Sequence, residues 1–340
     1  MSATLEQRRL NDLDWIVVSG DRTSVFTELG RHCADRIARL VGASDMLAGL
    51  RRRAEDSPYF DSISERSRID CPQQWSELTA LAAGAGVDLE DLVLLNLRGD
   101  LGTDGTGCTD VAFRSGGDVV IGHNEDGAID FDCVMLTLLI DGDPAVSVFW
   151  YPGMLPANSF VITANGLAWG CDAVQVVHPA EAPGRHFVAR AMQTAGSIDE
   201  LEAHLREHPS AGGFAYAIGD WRHNAAAHVE AAAGHVSRVD LTDELLWHTN
   251  HLRQLDGLDT AEDGSLRRGE VAEEWRPDGE ALDWCLDSLA RRGVDDGGVH
   301  RPGGGSVTLG TLVVECAAGR ITVVPRGAEP VTRDIASLLR

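Results

Sequence analysis

Gly105-Thr106-Gly107-Cys108-Thr109-Asp110-Val111-Ala112-Phe113 is the stretch on which the reading of this 340-residue chain turns. On its amino side the apolar residues keep helical spacing. Phe26, Leu29, Cys33, Ile37 and Leu40 form one stripe, Trp75 to Ala85 runs into Gly86, and Leu89-Glu90-Asp91-Leu92 opens a helix that ends near Leu97. The helical reading extends back to the amino end. On its carboxyl side the period becomes that of strands, at 110–113, 118–121, 134–140, 145–151 and 159–163, with turn residues between them. Helices return at 185–195 and 197–208, the second opening on the capping box Ser197-Ile198-Asp199-Glu200. A hairpin follows at about 214–230. The acidic, glycine-rich segment 256–279 reads as an exposed excursion, Leu282, Cys285, Leu286 and Leu289 line one helix face, and a last hairpin pairs 306–315 with 320–325. Strand runs broken by helix pairs predict an α/β layered protein (α+β) with antiparallel sheets packed between helices.

Composition narrows the chemistry. All 29 basic residues are arginine, against 53 acids, for a formal charge of −24. Without lysine, pyridoxal Schiff bases and the P-loop are excluded. The negative charge argues against nucleic acid and against an anionic membrane surface as partners. The amino terminus has charges where a secretory leader would be apolar, and no run is long enough to span a bilayer, so a soluble cytoplasmic protein is expected. Seven cysteines, an odd number without a CxxC pair, fit free thiols in a reducing compartment. Cysteines 133, 171, 285 and 316 read as small buried hydrophobes.

Cys108 follows a turn-rich passage, 99–107, and precedes a strand, which is a place where a thiol becomes reactive. Downstream comes Gly122-His123-Asn124-Glu125-Asp126, a polar run at a strand end with no packing role of its own, whose aspartate stands eighteen residues after the cysteine. These pieces belong to an ordered set: Leu78 to Val87, Leu94-Leu95-Asn96-Leu97-Arg98, Gly107-Cys108-Thr109, Gly122 to Asp126, Asn165-Gly166-Leu167, Trp247-His248-Thr249-Asn250-His251 and the Thr308 to Val314 hairpin strand. The set spans about 76 to 327 and resembles the acyl-coenzyme A:6-aminopenicillanate acyltransferase family of N-terminal-nucleophile (Ntn) hydrolases.

The resemblance implies a four-layer αββα sandwich with two antiparallel sheets, formed as one structural domain. It implies a precursor cut between Gly107 and Cys108, giving an N-terminal helical chain 1–107 and a chain 108–340 that stay together. The catalytic set it implies is Cys108 as nucleophile, Asp126 beside it holding the new α-amine, and Asn250 donating to the oxyanion. Arg301, just before the last hairpin, matches an arginine near the family's site. Asp172 stands where relatives tend to have asparagine after Gly166-Leu167; lining the pocket, it would favour a substrate carrying an amine. His123 is a further candidate for substrate binding. The chemistry is coherent: an α-amine with an ordinary pKa of about 7.7–8.0 takes a thiol proton near neutral pH, where a lysine would stay charged. The implied partners are a small acyl-amide or acyl-thioester, and water or an amine as acceptor, with a bacterial natural-product amide favoured by the GC-rich codon signature. Assembly into homo-oligomers is left open.

Two alternatives stay open. One is an uncut cysteine hydrolase using a histidine base, His123 or His248; the other is an inactive binding member of the family. His248, His251, His223 and His228 lack a third ligand at metal spacing, so neither metal nor other cofactor is expected.

Overall fold

The computed structural model describes residues 3–42, 44–102, 107–129, 131–242 and 245–340. Gly105 and Thr106, with the rest of 103–106, lie outside the described residues. In chain order the elements begin with a hairpin, β1 (Thr4–Leu10) and β2 (Leu13–Gly20). Six helices follow: α1 (Arg22–His32), α2 (Ala34–Gly42), α3 (Ser44–Asp56), α4 (Phe60–Asp70), α5 (Pro72–Ala85) and α6 (Leu89–Asn96). Then come β3 (Thr109–Ser115), β4 (Asp118–Gly127), β5 (Val134–Ile140), β6 (Val146–Trp150), β7 (Phe160–Thr163) and β8 (Leu167–Val174). Helices α7 (Arg185–Ala191) and α8 (Ile198–Glu207) precede β9 (Gly213–Asp220), β10 (Ala225–Ala232), β11 (His235–Asp240) and β12 (Leu246–His248). The chain ends with α9 (Asp263–Glu273), α10 (Ala281–Cys285) and a π-helical turn over Leu286–Arg291, then β13 (Val307–Glu315), β14 (Arg320–Pro325), β15 (Val331–Asp334) and α11 (Ile335–Leu338).

The strands form a nine-stranded sheet, β1-β2-β5-β6-β7-β8-β9-β10-β11, and a six-stranded sheet, β12-β3-β4-β13-β14-β15. The sheets stack through β3 and β4 against β8 and β9, while α1 covers the outside of the larger sheet and α10 with the π-helical turn covers the smaller. The expected helix–sheet–sheet–helix layering is therefore present. Its interior is one apolar core that includes Trp150, Trp169, Phe149 and Phe160, each at most 1% exposed. No helix of the described residues is long and apolar enough to cross a membrane.

Four expectations are corrected. The amino end is not helical: Leu13, Trp15, Ile16, Val17 and Val18 make a β-rich run that joins the larger sheet. That junction, β2 with β5, is parallel, so the larger sheet is mixed; β2 and β5 are separated by six helices and the β3–β4 hairpin, a connection long enough for a crossover. The stripe from Phe26 to Leu40 is split at Cys33 into α1 and α2. Segment 256–279 is not wholly exposed, because α9 within it buries Ser265, Arg268, Gly269 and Ala272. The capping box stands as read: Ser197 Oγ accepts from Glu200 N at 3.1 Å, and Glu200 Oε2 accepts from Gly196 N at 2.8 Å. Cys133 is half-buried, while Cys171, Cys285 and Cys316 are buried; all seven thiols are free.

Candidate active site

The β3–β4 hairpin explains why residues eighteen apart in sequence meet. Its turn is Gly116-Gly117, both at positive φ (58° and 87°), the backbone that suits a two-residue hairpin. With Thr109 opposite Asn124 and Asp110 opposite His123, the register places Cys108 opposite Glu125, and Gly107 N donates to Asp126 O at 3.3 Å. Side chains paired across a sheet share a face and alternate along it. One face of the hairpin therefore carries Cys108, Asp110, His123 and Glu125; the other carries Thr109, Asn124 and Asp126.

The first face looks into the sandwich. Cys108 is 2% exposed, and its Sγ lies within 4.8 Å of the His123 ring nitrogen and the Glu125 carboxylate that it faces. His123 Nδ1 lies 2.7 Å from Asp110 Oδ1 and Nε2 lies 3.1 Å from Glu125 Oε2. Glu125 also accepts from the Tyr151 hydroxyl. Strand β8 crosses directly over this cluster at Gly170, where any Cβ would collide with Asp110 and His123. Beyond it, Asp172 Oδ2 is 3.2 Å from His248 Nδ1, and His248 Nε2 is 3.2 Å from Glu230 Oε1. Two imidazoles are thus each held between two buried carboxylates.

These environments set the charges. Burial and Glu125 push the Cys108 thiol well up, against the pull of His123, so in this closed form the thiol rests neutral. Burial would lower His123, but Asp110, Cys108 and Glu125 carry it well above the usual histidine range. His248 is likewise pulled down by burial and raised on balance to about 9 by Asp172 and Glu230. Burial, then Asp110, lift Asp172 to about 7.

The second face looks outward to α9 and the last hairpin. Asp126 is fully buried, accepts from Thr308 Oγ1 at 2.7 Å, and lies 3.2 Å from Arg301 Nε. Burial raises its pKa to about 6, opposed by Arg301, Arg268 and Thr308. Asn250 sits at the end of β12; its amide nitrogen donates to Ala173 O at 2.8 Å, and its Oδ1 accepts from Arg268 Nη2 at 2.5 Å. Arg268 Nη1 donates to Cys108 O and, at 2.7 Å, to Thr109 Oγ1. A Cβ at Gly107 would stand 3.1 Å from the guanidinium nitrogens of both Arg268 and Arg301, so the chain passes closely between these cations and a larger residue would make their side chains give way by a few tenths of an ångström.

The structure thus brings Gly107, Cys108, Asp126, Asn250 and Arg301 into one neighbourhood. Asp172 and His123 are fully buried and already hydrogen-bonded, behind Cys108 rather than at a cleft wall. Sequence reading missed Arg268, which the acidic flanks of α9 conceal. The spacing Ser265, Arg268, Gly269, Ala272 is the signal that one face of that segment is buried. It also missed a cleft of about 670 Å³ between α2, α3 and the chain after β4, lined by Arg36, Leu40, Met46, Phe131, Tyr151 and Pro152. Two donor groups lie within coordination reach of one ion, Cys108/His123/Glu125 and Asp110/His123/Asp172. Both draw on His123, whose ring nitrogens are already engaged, and their spread over β3, β4 and β8 hides them from spacing rules.

Residues 113–275 match the family model of acyl-coenzyme A:6-aminopenicillanic acid acyl-transferase. No curated protein matches the sequence significantly. Among solved structures, two of the conjugated bile acid hydrolase from Clostridium perfringens are similar to this chain at 11% identity, one a cysteine-to-alanine mutant and the other an arginine-to-leucine variant. Their TM-scores are 0.43 and 0.44, and each match covers 68% of this chain and 93% of that one.

Proposed function

We propose, from the premise that this chain belongs to the acyl-coenzyme A:6-aminopenicillanic acid acyl-transferase family, that it is a self-processing cysteine amidohydrolase or acyltransferase. The observation that carries the reading is the Gly107–Cys108 junction, threaded between the Arg268 and Arg301 guanidiniums beside Asp126. In the uncut chain Cys108 Sγ attacks the Gly107 carbonyl carbon. The S–C bond forms, the C–N bond breaks, and the thiol proton passes to the Cys108 nitrogen, with His123 next to the sulfur as the group that relays it. Water then hydrolyses the thioester, leaving a Gly107 carboxylate and a free thiol.

The new α-amine serves as base in turnover, and Asp126 holds it. Sγ attacks the acyl carbon of an amide or thioester, Asn250 donates to the oxyanion, and the leaving group departs with the proton. Water or an amine then takes the acyl group from sulfur. The cleft that Tyr151 lines with Leu40, Met46, Phe131 and Pro152, beside Arg36, Arg39 and Asp132, suits an acyl group with an apolar body.

Denaturing intact mass of the wild type beside Cys108→Ala tests this. Two wild-type fragments, 1–107 and 108–340, with an uncut variant, are expected; an intact wild-type chain overturns it. One observation favours a second reading, an uncut cysteine hydrolase: the chain Cys108–His123–Asp110, with Asp110 2.7 Å from His123 Nδ1, has the order of a thiol, base and orienting carboxylate. An intact wild-type chain whose Cys108 is alkylated rapidly, and slowly in His123→Gln, is its signature.

A further inference from the structure

Arg268 is 2% exposed, yet among the described residues no carboxylate pairs with it; its donors go to Gly264 O, Cys108 O, Thr109 Oγ1 and Asn250 Oδ1. A buried cation without an anion is costly, so this placement needs a compensating purpose. An amide side chain has two nearly isosteric orientations, and only one presents N–H groups to an oxyanion. The Arg268 guanidinium has donors only, so it donates to the oxygen of Asn250 and excludes the nitrogen. One Nδ2 proton of Asn250 is then on Ala173 O at 2.8 Å, and the other is left for a developing oxyanion. The same guanidinium holds the backbone carbonyl of the nucleophile residue, fixing the distance between the amide and the sulfur's own residue.

Resting on the reading above, we infer that Arg268 is a positioning residue for both the self-cut and turnover, acting by fixing the Asn250 amide relative to Cys108. The test compares wild type, Arg268→Met, Arg268→Ala, Asn250→Ala and the Arg268→Met/Asn250→Ala double variant. The self-cut is followed by intact mass from fresh synthesis, and turnover by p-nitrophenyl acetate hydrolysis, with urea midpoints to count folded protein. Arg268→Met is expected to lower kcat per folded molecule by about 10²-fold, the size of a lost oxyanion donor, with KM nearly unchanged. The double variant is expected to fall little further than Asn250→Ala, because the two losses share one cause. Free guanidinium should restore part of kcat to Arg268→Ala, and ammonium should not.

Folded Arg268→Met with wild-type self-cut and kcat overturns the inference, as do fully additive effects. A wild-type chain that stays intact but hydrolyses the ester overturns the self-cut while the kcat cycle still decides on Arg268. A wild-type chain that neither cuts nor hydrolyses overturns both.

Discussion

Arg190 in the helical layer and Arg268 at the β3 edge are buried to similar depth, 5% and 2% exposed, and are satisfied in opposite ways. Arg190 makes a two-pronged pair with Glu77, at 2.9 and 3.0 Å, and Glu77 also takes Arg22. Its charge is cancelled where it stands, as a pair joining α5 to α7 requires. Among the described residues the hydrogen bonds of Arg268 all go to neutral oxygens, and the carboxylates of Asp126 and Asp172 act on it only at longer range. A cancelled charge holds elements together; an uncancelled one, beside Gly107, Cys108 and Asn250, keeps its field for something that acquires negative charge.

The comparison breaks first at Glu77. Glu77→Leu strands Arg190 in the helical layer, while Arg22 keeps Asp143, and is expected to cost about 3–5 kcal/mol by urea denaturation, with kcat per folded molecule unchanged. Arg268→Met removes a lone cation but leaves the oxygens of Cys108 and Asn250 without their donor, and is expected to cost about 1–3 kcal/mol. Equal losses in the two variants would erase the distinction. Asn250→Ala comes next: its side chain is half-buried, so stability should hold, while the barrier to turnover rises by about 2.7–4 kcal/mol, read as kcat.

A smaller effect appears with pH. The folded state raises His248 to about 9, above its unfolded value of about 6.5, so its clamp is fully stabilising below about pH 6.5 and is lost as pH rises through about 9. Wild-type urea midpoints should fall over that window, and those of His248→Gln should be flat across it. The smallest change is Thr308→Val, which deletes a donor that lowers Asp126. The acid limb of kcat, expected near about 6 from Asp126, should move upward; a downward shift would mean that Asp126 is not the group titrating.

Much of this was legible because it is local. The Ser197 capping box and the strands from Val134 to Ile140 and from Val307 to Glu315 follow from short-range period. What escaped depends on remote partners. Nothing near Leu13–Gly20 announces that its neighbour will be Val134–Ile140, more than a hundred residues away. Arg268 sits among Asp263, Glu270 and Glu273, whose solvated charge masks the one inward-facing residue. The place of Asp172 after Gly166-Leu167 suggests a pocket wall only through the resemblance, and it is the stacking of β8 on β3 and the approach of His248 that give this side chain its partner.

The parallel junction of β2 with β5 carries a last consequence. Residues ahead of Cys108 supply β1 and β2, the outer two of nine strands, so a fragment 1–107 from the proposed cut would remain stitched into a sheet that spans both pieces. Unfolding such a two-piece molecule separates its parts, and regaining the fold becomes a bimolecular encounter. The uncut Cys108→Ala chain would melt at one temperature whatever its dilution, whereas the processed form would melt earlier the more it is diluted. Maturation would in that sense convert a self-sufficient chain into a complex whose persistence depends on its own concentration.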